Sequence, residues 1–178
     1  MSITLQARSR TARMCRNAVM LALAFAFSWL EHMLPISLFL PLPGVKLGLA
    51  NVVTVALFYL ISPIDAAVVS MLRIGLSALL FGTPISLFFS LLGGVFAYLA
   101  LWACRPFFGR VFSMIGVSVL SATGHHIGQI TAAIILFDTG VILSYLPVLL
   151  LAGIVTGGVT GVVLNLCERR LRLFLKKG

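Results

Sequence analysis

The stretch PISLFFSLLGGVFAYLALWAC, residues Pro84–Cys104, carries no charged side chain. A helix needs about 20 predominantly apolar residues to cross the hydrocarbon core of a bilayer. Other apolar stretches fill most of the remaining chain, and we predict a membrane-spanning helix in each. The predicted spans are Asn17–Leu34, Leu47–Ser62, Ile64–Phe81, Pro84–Cys104, Val111–Phe137 and Leu143–Cys167. The sequence therefore predicts an all-α integral membrane protein with six transmembrane helices.

The composition is that of a protein that resides in lipid. Of the 178 residues, 61% are hydrophobic and 10% are charged, and the mean hydropathy is +1.15. Four acidic residues cannot supply the charged surface of a soluble domain. We therefore divide the chain into a basic N-terminal segment (1–16), one six-helix transmembrane domain (17–167) and a basic tail (168–178).

The positive charges are concentrated at the ends of the predicted spans. The net charge is +9, and every Lys and Arg except Lys46 and Arg73 lies before the first span, between the fourth and fifth, or after the sixth. With six spans these three clusters share one side of the membrane, so the positive-inside rule places both termini in the cytoplasm. We expect a multi-pass protein of the cell membrane that contacts lipid headgroups, not nucleic acid.

The connections between the spans have recognisable chemistry. Ser62-Pro63-Ile64-Asp65 is typical of a capping box that begins the third span, and it favours a helix-capping role for Asp65. Thr83-Pro84 repeats the pattern before the fourth span. The proline-rich segment Leu34–Gly44 cannot continue a helix, and we interpret it either as a lid over an outer cavity or as a stiff connector.

Small residues recur every four positions on three of the spans. Such ridges let helix backbones approach closely in a membrane. Packing within the chain is the expected role of each ridge, whereas docking of a partner needs a ridge that faces outward. The first span is the best candidate for docking. The ridges are Ala18, Ala22 and Ala26; Gly124 and Gly128; and Gly153, Gly157 and Gly161.

Arg73 lies near the middle of the third predicted span. About 12 Å of helix separates it from either end, and its guanidinium cannot lose its charge. A charge at the centre of a membrane helix is costly and normally faces a partner or a cavity. The sequence indicates either a ligand-binding charge or a structural ion pair with Glu31.

His125 and Gln129 are four residues apart, so they share one helix face, while His126 points about 100° away. Zinc sites usually need three or four ligands, and no Cys or acid lies at helical spacing nearby. A polar cluster that binds a ligand or another helix is the favoured interpretation, and metal or proton binding is the alternative.

Lys46 and Asn51 flank the start of the second predicted span. Gly44 and Gly48 allow a close approach of the backbone, and Lys46 can meet an anion at the helix N-terminus. The alternative is that Lys46 is an anchor at the outer surface, because lysine side chains readily reach the membrane interface.

Signatures of an enzyme are scarce. Asp138-Thr139-Gly140 resembles an aspartic-protease tripeptide, but it occurs once, in a predicted turn, without a second aspartate to share a proton. No Walker motif is present, and no paired aspartates could hold magnesium and a diphosphate. We expect no catalytic activity and no cofactor.

Four segments in combination resemble one bacterial family. They are GVKLGLAN at 44–51, LRIGLSALLFGTP at 72–84, FSLLGG at 89–94 and GHHIGQ at 124–129. The chain resembles the Gx transporter family, also labelled heptaprenyl diphosphate synthase component I, over nearly its whole length after residue 17. That family in turn resembles the substrate-binding S components of energy-coupling-factor transporters.

The resemblance to S components implies a six-helix bundle with a ligand cavity on the outer side. It also implies docking onto a coupling membrane subunit driven by two ATP-binding-cassette ATPases. In those transporters, alanines at every fourth position of the first helix meet the coupling subunit, and Ala18, Ala22 and Ala26 match that pattern. The loop between the first two helices acts there as a gate, which corresponds to Leu34–Gly44 here.

We therefore expect a substrate-binding subunit of a transporter that captures a small anionic, or lipid- or redox-related, molecule. Arg73 and Lys46 would attract an anionic group, and Glu31 would balance Arg73 in the empty cavity. The alternatives are a membrane accessory subunit of heptaprenyl diphosphate synthase and a structural scaffold. The expected cavity residues are Glu31, Lys46, Asn51, Arg73, His125 and Gln129.

Overall fold

The computed structural model describes residues 2–33, 46, 48–138 and 140–176, and this part of the chain is helical without a β-strand. The α-helices follow the apolar stretches in order. They are α1 (Ser2–Met33), α2 (Asn51–Leu60), α3 (Pro63–Phe81), α4 (Pro84–Cys104), α5 (Met114–Phe137) and α6 (Leu146–Lys176). Short 3-10 helices, Arg105–Phe107 and Gly140–Tyr145, follow α4 and precede α6.

Four helical segments of the described chain are long and apolar enough to cross a membrane. They coincide with the third to sixth predicted spans, so the prediction of a multi-pass helical membrane protein is confirmed for these four. The segments are Pro63–Phe81, Pro84–Phe107, Met114–Phe137 and Ile142–Glu168.

The first two helices differ from the expected spans. α1 begins at Ser2, so the basic N-terminal segment is continuous with the first apolar stretch. α2 has 10 residues, which corresponds to about 15 Å of helix against about 30 Å of hydrocarbon. The prediction that Leu47–Ser62 is long enough to span the bilayer as one helix is therefore wrong, because the helix begins only at Asn51.

Glycines set the spacing between α4, α5 and α6. A Cβ placed at Gly124 of α5 would lie 2.9 Å from the carbonyl oxygen of Phe96 on α4. One placed at Gly157 of α6 would lie 2.6 Å from Cα of Val119 on α5. Gly128, Gly153 and Gly161 make similar close approaches. The glycine ridges of α5 and α6 therefore pack inside the chain, as expected.

One end of the bundle collects basic and aromatic side chains, and we call it the basic end. It contains the α2–α3 turn and the α4–α5 connection, which carries Arg105 and Arg110. The hydroxyl of Tyr98 donates to the carbonyl of Pro63 at 2.9 Å, and Arg105 lies 5.0 Å from the ring centroid of Trp102. Amphipathic aromatic rings of this kind are enriched where a membrane meets water.

Asp65 joins α1 to α3 at the basic end. Its carboxylate accepts hydrogen bonds from Arg13 Nε at 2.8 Å, Asn17 Nδ2 at 2.9 Å and Arg16 Nη2 at 3.2 Å. The side chain of Ser62 makes no capping bond, so the interpretation of Asp65 as part of a capping box is wrong. By contrast, the predicted cap of α4 is confirmed, because Thr83 Oγ1 accepts from the Ser86 N–H at 3.1 Å.

Candidate functional site

A small polar cavity lies where α2 begins inside the bundle. Its volume is about 10 Å³, which is room for about one water molecule. The lining comes from α1 to α5 and from the residues just before α2. The lining residues are Glu31, Lys46, Gly48, Asn51, Ser70, Arg73, Ser90, Gly94 and His125.

The cavity lies deep within the long helices. Arg73 is about 15 Å along α3 from Pro63 and about 12 Å from Phe81. Ser90 is about 21 Å along α4 from Cys104 at the basic end, and about 9 Å from Pro84 at the other. The cavity therefore lies near mid-depth, displaced along α4 toward the end opposite the basic one.

Glu31 binds the backbone just before α2. Its carboxylate accepts hydrogen bonds from the backbone N–H groups of Gly48 and Leu49, the latter at 3.4 Å. Gly48 has φ +82, a left-handed conformation that glycine adopts without strain. Hydrogen bonds from backbone N–H groups to a carboxylate are charge-assisted, so these two donors stabilise the Glu31 carboxylate just before α2.

Arg73 is buried, with 7% of its surface exposed. Its Nη1 donates to Ser28 Oγ on α1 at 3.0 Å, while its Nε has no hydrogen-bond partner among the described residues. The ion pairs of the described chain join Asp65 to Arg13 and Arg16. The expected ion pair between Arg73 and Glu31 is therefore not formed, because Glu31 is turned to the start of α2.

Lys46 points into the bundle. Its Nζ donates to Ser90 Oγ at 2.9 Å, and Ser90 Oγ in turn donates to the carbonyl of Ser86 at 2.8 Å. The interpretation of Lys46 as an anchor at the outer surface is therefore wrong. Its ammonium group lines the same cavity as the guanidinium of Arg73.

The polar residues of α5 form a hydrogen-bonded chain. Gln129 Nε2 lies 3.1 Å from His125 Nε2, and Gln129 Oε1 lies 3.3 Å from His126 Nδ1. His125 lines the cavity, whereas Gln129 lies behind it and His126 faces Gly153 of α6. The sequence predicts Gln129 in the cavity wall, but it lies outside the wall and contacts the ring of His125. Within the described chain, no group of three or more His, Cys, Asp or Glu side chains could hold a metal ion.

Asn51 fixes the start of α2 against α5. Its Nδ2 donates to Ser121 Oγ at 2.7 Å, and Ser121 Oγ donates to the carbonyl of Ala97 at 3.4 Å. Asn51 also lines the cavity. Five of the six residues expected in the cavity wall therefore converge there: Glu31, Lys46, Asn51, Arg73 and His125.

The serines of the site are not among the residues predicted from the sequence. Ser70 and Ser90 line the cavity and Ser28 binds Arg73. Ser70 and Arg73 are three residues apart on α3, which places them on one helix face. A search for small polar residues at helical spacing from Arg73 would have found Ser70, whereas Ser28 and Ser90 are brought in by tertiary packing.

The alanine ridge of α1 faces away from the bundle. Ala18, Ala22 and Ala26 are exposed, while Ser28 and Glu31 on the inner side of the same helix are buried. The outward orientation that docking of a partner requires is therefore present. The segment Leu34–Gly44, expected as a lid or a connector, lies outside the described residues.

Fold and cavity together define a class, the multi-pass helical membrane proteins with a charged cavity enclosed at mid-depth. Within that class, the chain belongs to the family of heptaprenyl diphosphate synthase component I, whose model matches residues 20–167. The family resemblance drawn from the sequence is confirmed for this label. No curated protein and no solved structure matches the chain.

Proposed function

We propose that this protein is the substrate-binding subunit of a membrane transporter and that it captures a small anionic molecule from the outer face. The observation that carries the proposal is the buried guanidinium of Arg73, whose Nε has no partner in the described chain. A lipid- or redox-related molecule with an anionic group is included in this class.

The cost of burying charge supports a binding role for the cavity. A buried charge is tolerated when it is paired and hydrogen-bonded. Among the described residues, Arg73 donates one hydrogen bond to a neutral serine, and Lys46 donates one to another. An anion between these two cations would supply the acceptors that the serines only partly provide.

The position of α2 supports the same proposal. Membrane transporters often bind substrates near mid-depth, where the N-terminus of an interrupted helix points at an anionic group. α2 is a helix of this kind, since it begins beside the cavity and is too short to cross the bilayer. Just before the helix, the backbone N–H groups of Gly48 and Leu49 donate to Glu31, which lies with both cations in the cavity wall.

The exposed alanine ridge supports a partner in the membrane. We infer that the chain passes six times between the two ends of the bundle, the second passage ending in the short α2, so that both termini lie in the cytoplasm. We also infer that the exposed ridge of Ala18, Ala22 and Ala26 on α1 meets a coupling membrane subunit with ATP-binding-cassette ATPases. Small residues on a lipid-facing helix permit such close packing.

A second candidate is a membrane accessory subunit of heptaprenyl diphosphate synthase, and the family match favours it. In that case the partner is a soluble synthase, and the transport subunits are absent from the complex. Purification of the tagged protein in mild detergent, with mass spectrometry of its partners, separates the two candidates. A coupling protein with two ATPases supports transport, whereas a prenyl synthase alone refutes it in favour of the accessory role.

The docking surface is tested in the same purification. Ala22→Leu places a large side chain on the exposed alanine ridge and should release the coupling subunit. Val155→Leu, on the exposed side of α6, is the matched control and should retain it. Equal recovery with both variants would refute docking through the ridge.

The binding role of Arg73 is tested with Arg73→Ala and the control Arg110→Ala at the basic end. Methanesulfonate serves as a small singly charged anion, and binding is followed through the rise in the thermal unfolding temperature. Loss of a hydrogen-bonded charge should weaken binding at least about tenfold in Arg73→Ala and leave Arg110→Ala unchanged. Normal binding by an inserted, folded Arg73→Ala protein would refute the cavity assignment.

A further inference from the structure

The formal charges in the cavity wall do not cancel. Glu31 contributes one negative charge, while Lys46 and Arg73 contribute one positive charge each. These are the only two Lys or Arg residues of the chain outside the basic clusters at the ends of the predicted spans. The net charge facing the cavity is therefore +1 when His125 is neutral.

The hydrogen-bonded chain on α5 favours a neutral His125. The side-chain nitrogen of Gln129 can only donate, so His125 Nε2, 3.1 Å away, accepts. A ring nitrogen that accepts a hydrogen bond carries no proton, which leaves the imidazole uncharged. His126 does not contribute to the net charge facing the cavity, because its ring faces Gly153 on α6.

No other charged group of the described chain lines the cavity. α2 contributes Asn51, α4 contributes Ser90, and α6 contributes nothing to the lining. Among the remaining acids, Asp65 is bound to Arg13 and Arg16 at the basic end. Asp138 is exposed at the C-terminus of α5, about 20 Å along the helix from His125. Glu168 lies on α6 in a separate pocket beside the α4–α5 connection.

We propose that the cavity is selective for a singly charged anionic group, such as a carboxylate, a sulfonate or a phosphodiester, and that Glu31 sets this selectivity. The proposal rests on the proposed anion-binding function. One negative charge brings the buried site to neutrality, whereas two leave it with an excess. An uncompensated charge in a buried site costs far more free energy than the same charge at a solvated surface.

Binding of an anion does not change the net charge of the side chains that line the cavity. Because the cavity holds about one water molecule, the side chain of Glu31 or Lys46 must rotate to admit a larger group. Rotation moves a charge within the site without removing it. A diphosphate, with at least two negative charges, does not match the cavity, so an accessory subunit of a prenyl synthase would not hold the diphosphate here.

The experiment compares methanesulfonate with sulfate, which share their geometry and differ by one charge at neutral pH. The full-length protein is purified in a neutral detergent, and each dissociation constant is obtained from the dependence of the thermal unfolding temperature on anion concentration. Glu31→Gln removes the charge and retains an oxygen that accepts from Gly48. Asp138→Asn, at an exposed left-handed position, is the matched control, because Asn also tolerates that conformation.

We expect the wild type and Asp138→Asn to bind methanesulfonate at least about tenfold more tightly than sulfate. Glu31→Gln, with a cavity charge of +2, should shift this ratio at least about tenfold toward sulfate. If Glu31→Gln does not fold, Lys46→Gln replaces it, and its neutral cavity should lose methanesulfonate binding by a similar factor.

The failures of the two proposals are distinguishable. If both anions bind but Glu31→Gln keeps the wild-type ratio, or Asp138→Asn shifts it equally, charge selection by Glu31 is refuted and anion capture stands. Retention of wild-type methanesulfonate affinity by Lys46→Gln likewise refutes the charge balance. If neither anion binds to the wild type or to Glu31→Gln at 100 mM, both proposals are refuted.

Discussion

Two adjacent glycines on α6 provide a test of how closely the helices pack. A Cβ at Gly157 would lie 2.6 Å from Cα of Val119, whereas a Cβ at Gly158 would have no atom within 4 Å. Gly157→Ala and Gly158→Ala add the same methyl group to the same helix. Any gain in helix propensity, up to about 1 kcal/mol for Gly to Ala, is shared by the two variants.

The difference between the two variants therefore reports the steric contact alone. To reach an ordinary separation of 3.4–4 Å, α5 and α6 must move apart by about 1 Å at Gly157. Overpacking of this kind costs about 1–3 kcal/mol. Gly157→Ala should thus have a free energy of unfolding about 1–3 kcal/mol below that of Gly158→Ala.

The assay is reversible unfolding in mixed micelles, followed by the fluorescence of Trp29 and Trp102. Both variants are compared with the wild type at equal detergent composition, so that the reference state is the same. Gly158→Ala should be as stable as the wild type or more stable. If the two alanine variants unfold within about 0.5 kcal/mol of one another, the close α5–α6 contact at Gly157 is refuted.

Two further predictions concern the attachment of α1 and the support of His125. Asp65→Asn removes a buried carboxylate that accepts from Arg13 and Asn17, and we expect a loss of about 1.5–3 kcal/mol in unfolding free energy; stability equal to the wild type would contradict this role. Gln129→Leu should weaken methanesulfonate binding by about 3- to 10-fold through loss of one hydrogen bond, measured by the same thermal titration. Thr131→Val, which removes a hydroxyl bonded to its own helix, is its control, and equal affinity in both variants would exclude a positioning role for Gln129.

Much of the candidate site could be predicted because polar residues are costly inside apolar stretches. Arg73 and His125 are conspicuous in the sequence, since a membrane helix retains such residues only when they face protein or a cavity. Their placement around one cavity follows from the antiparallel run of neighbouring helices. The family label could also be predicted from short segments, and the match over residues 20–167 confirms it.

Other features depend on contacts that local patterns do not report. Asp65 fits a capping box in sequence, but its partners lie on α1, some fifty residues earlier in the chain. Glu31 and Arg73 have opposite charges, yet backbone N–H groups near α2 bind the carboxylate instead. The predicted span Leu47–Ser62 is longer than α2 for a related reason. The apolar stretch already includes Leu47, whereas the left-handed Gly48 precedes a helix that begins only at Asn51.

The short α2 has a consequence for how the protein is made. A helix of 10 residues is too short to partition into lipid by itself. Its Val55 and Leu57 are completely buried, so protein, and not acyl chains, surrounds its apolar side. We therefore expect the long helices to insert into the membrane on their own, whereas α2 needs the helices that pack around it to hold it in place. Because α5 contributes His125 to the lining, we expect a chain truncated before α5 to lack the complete cavity.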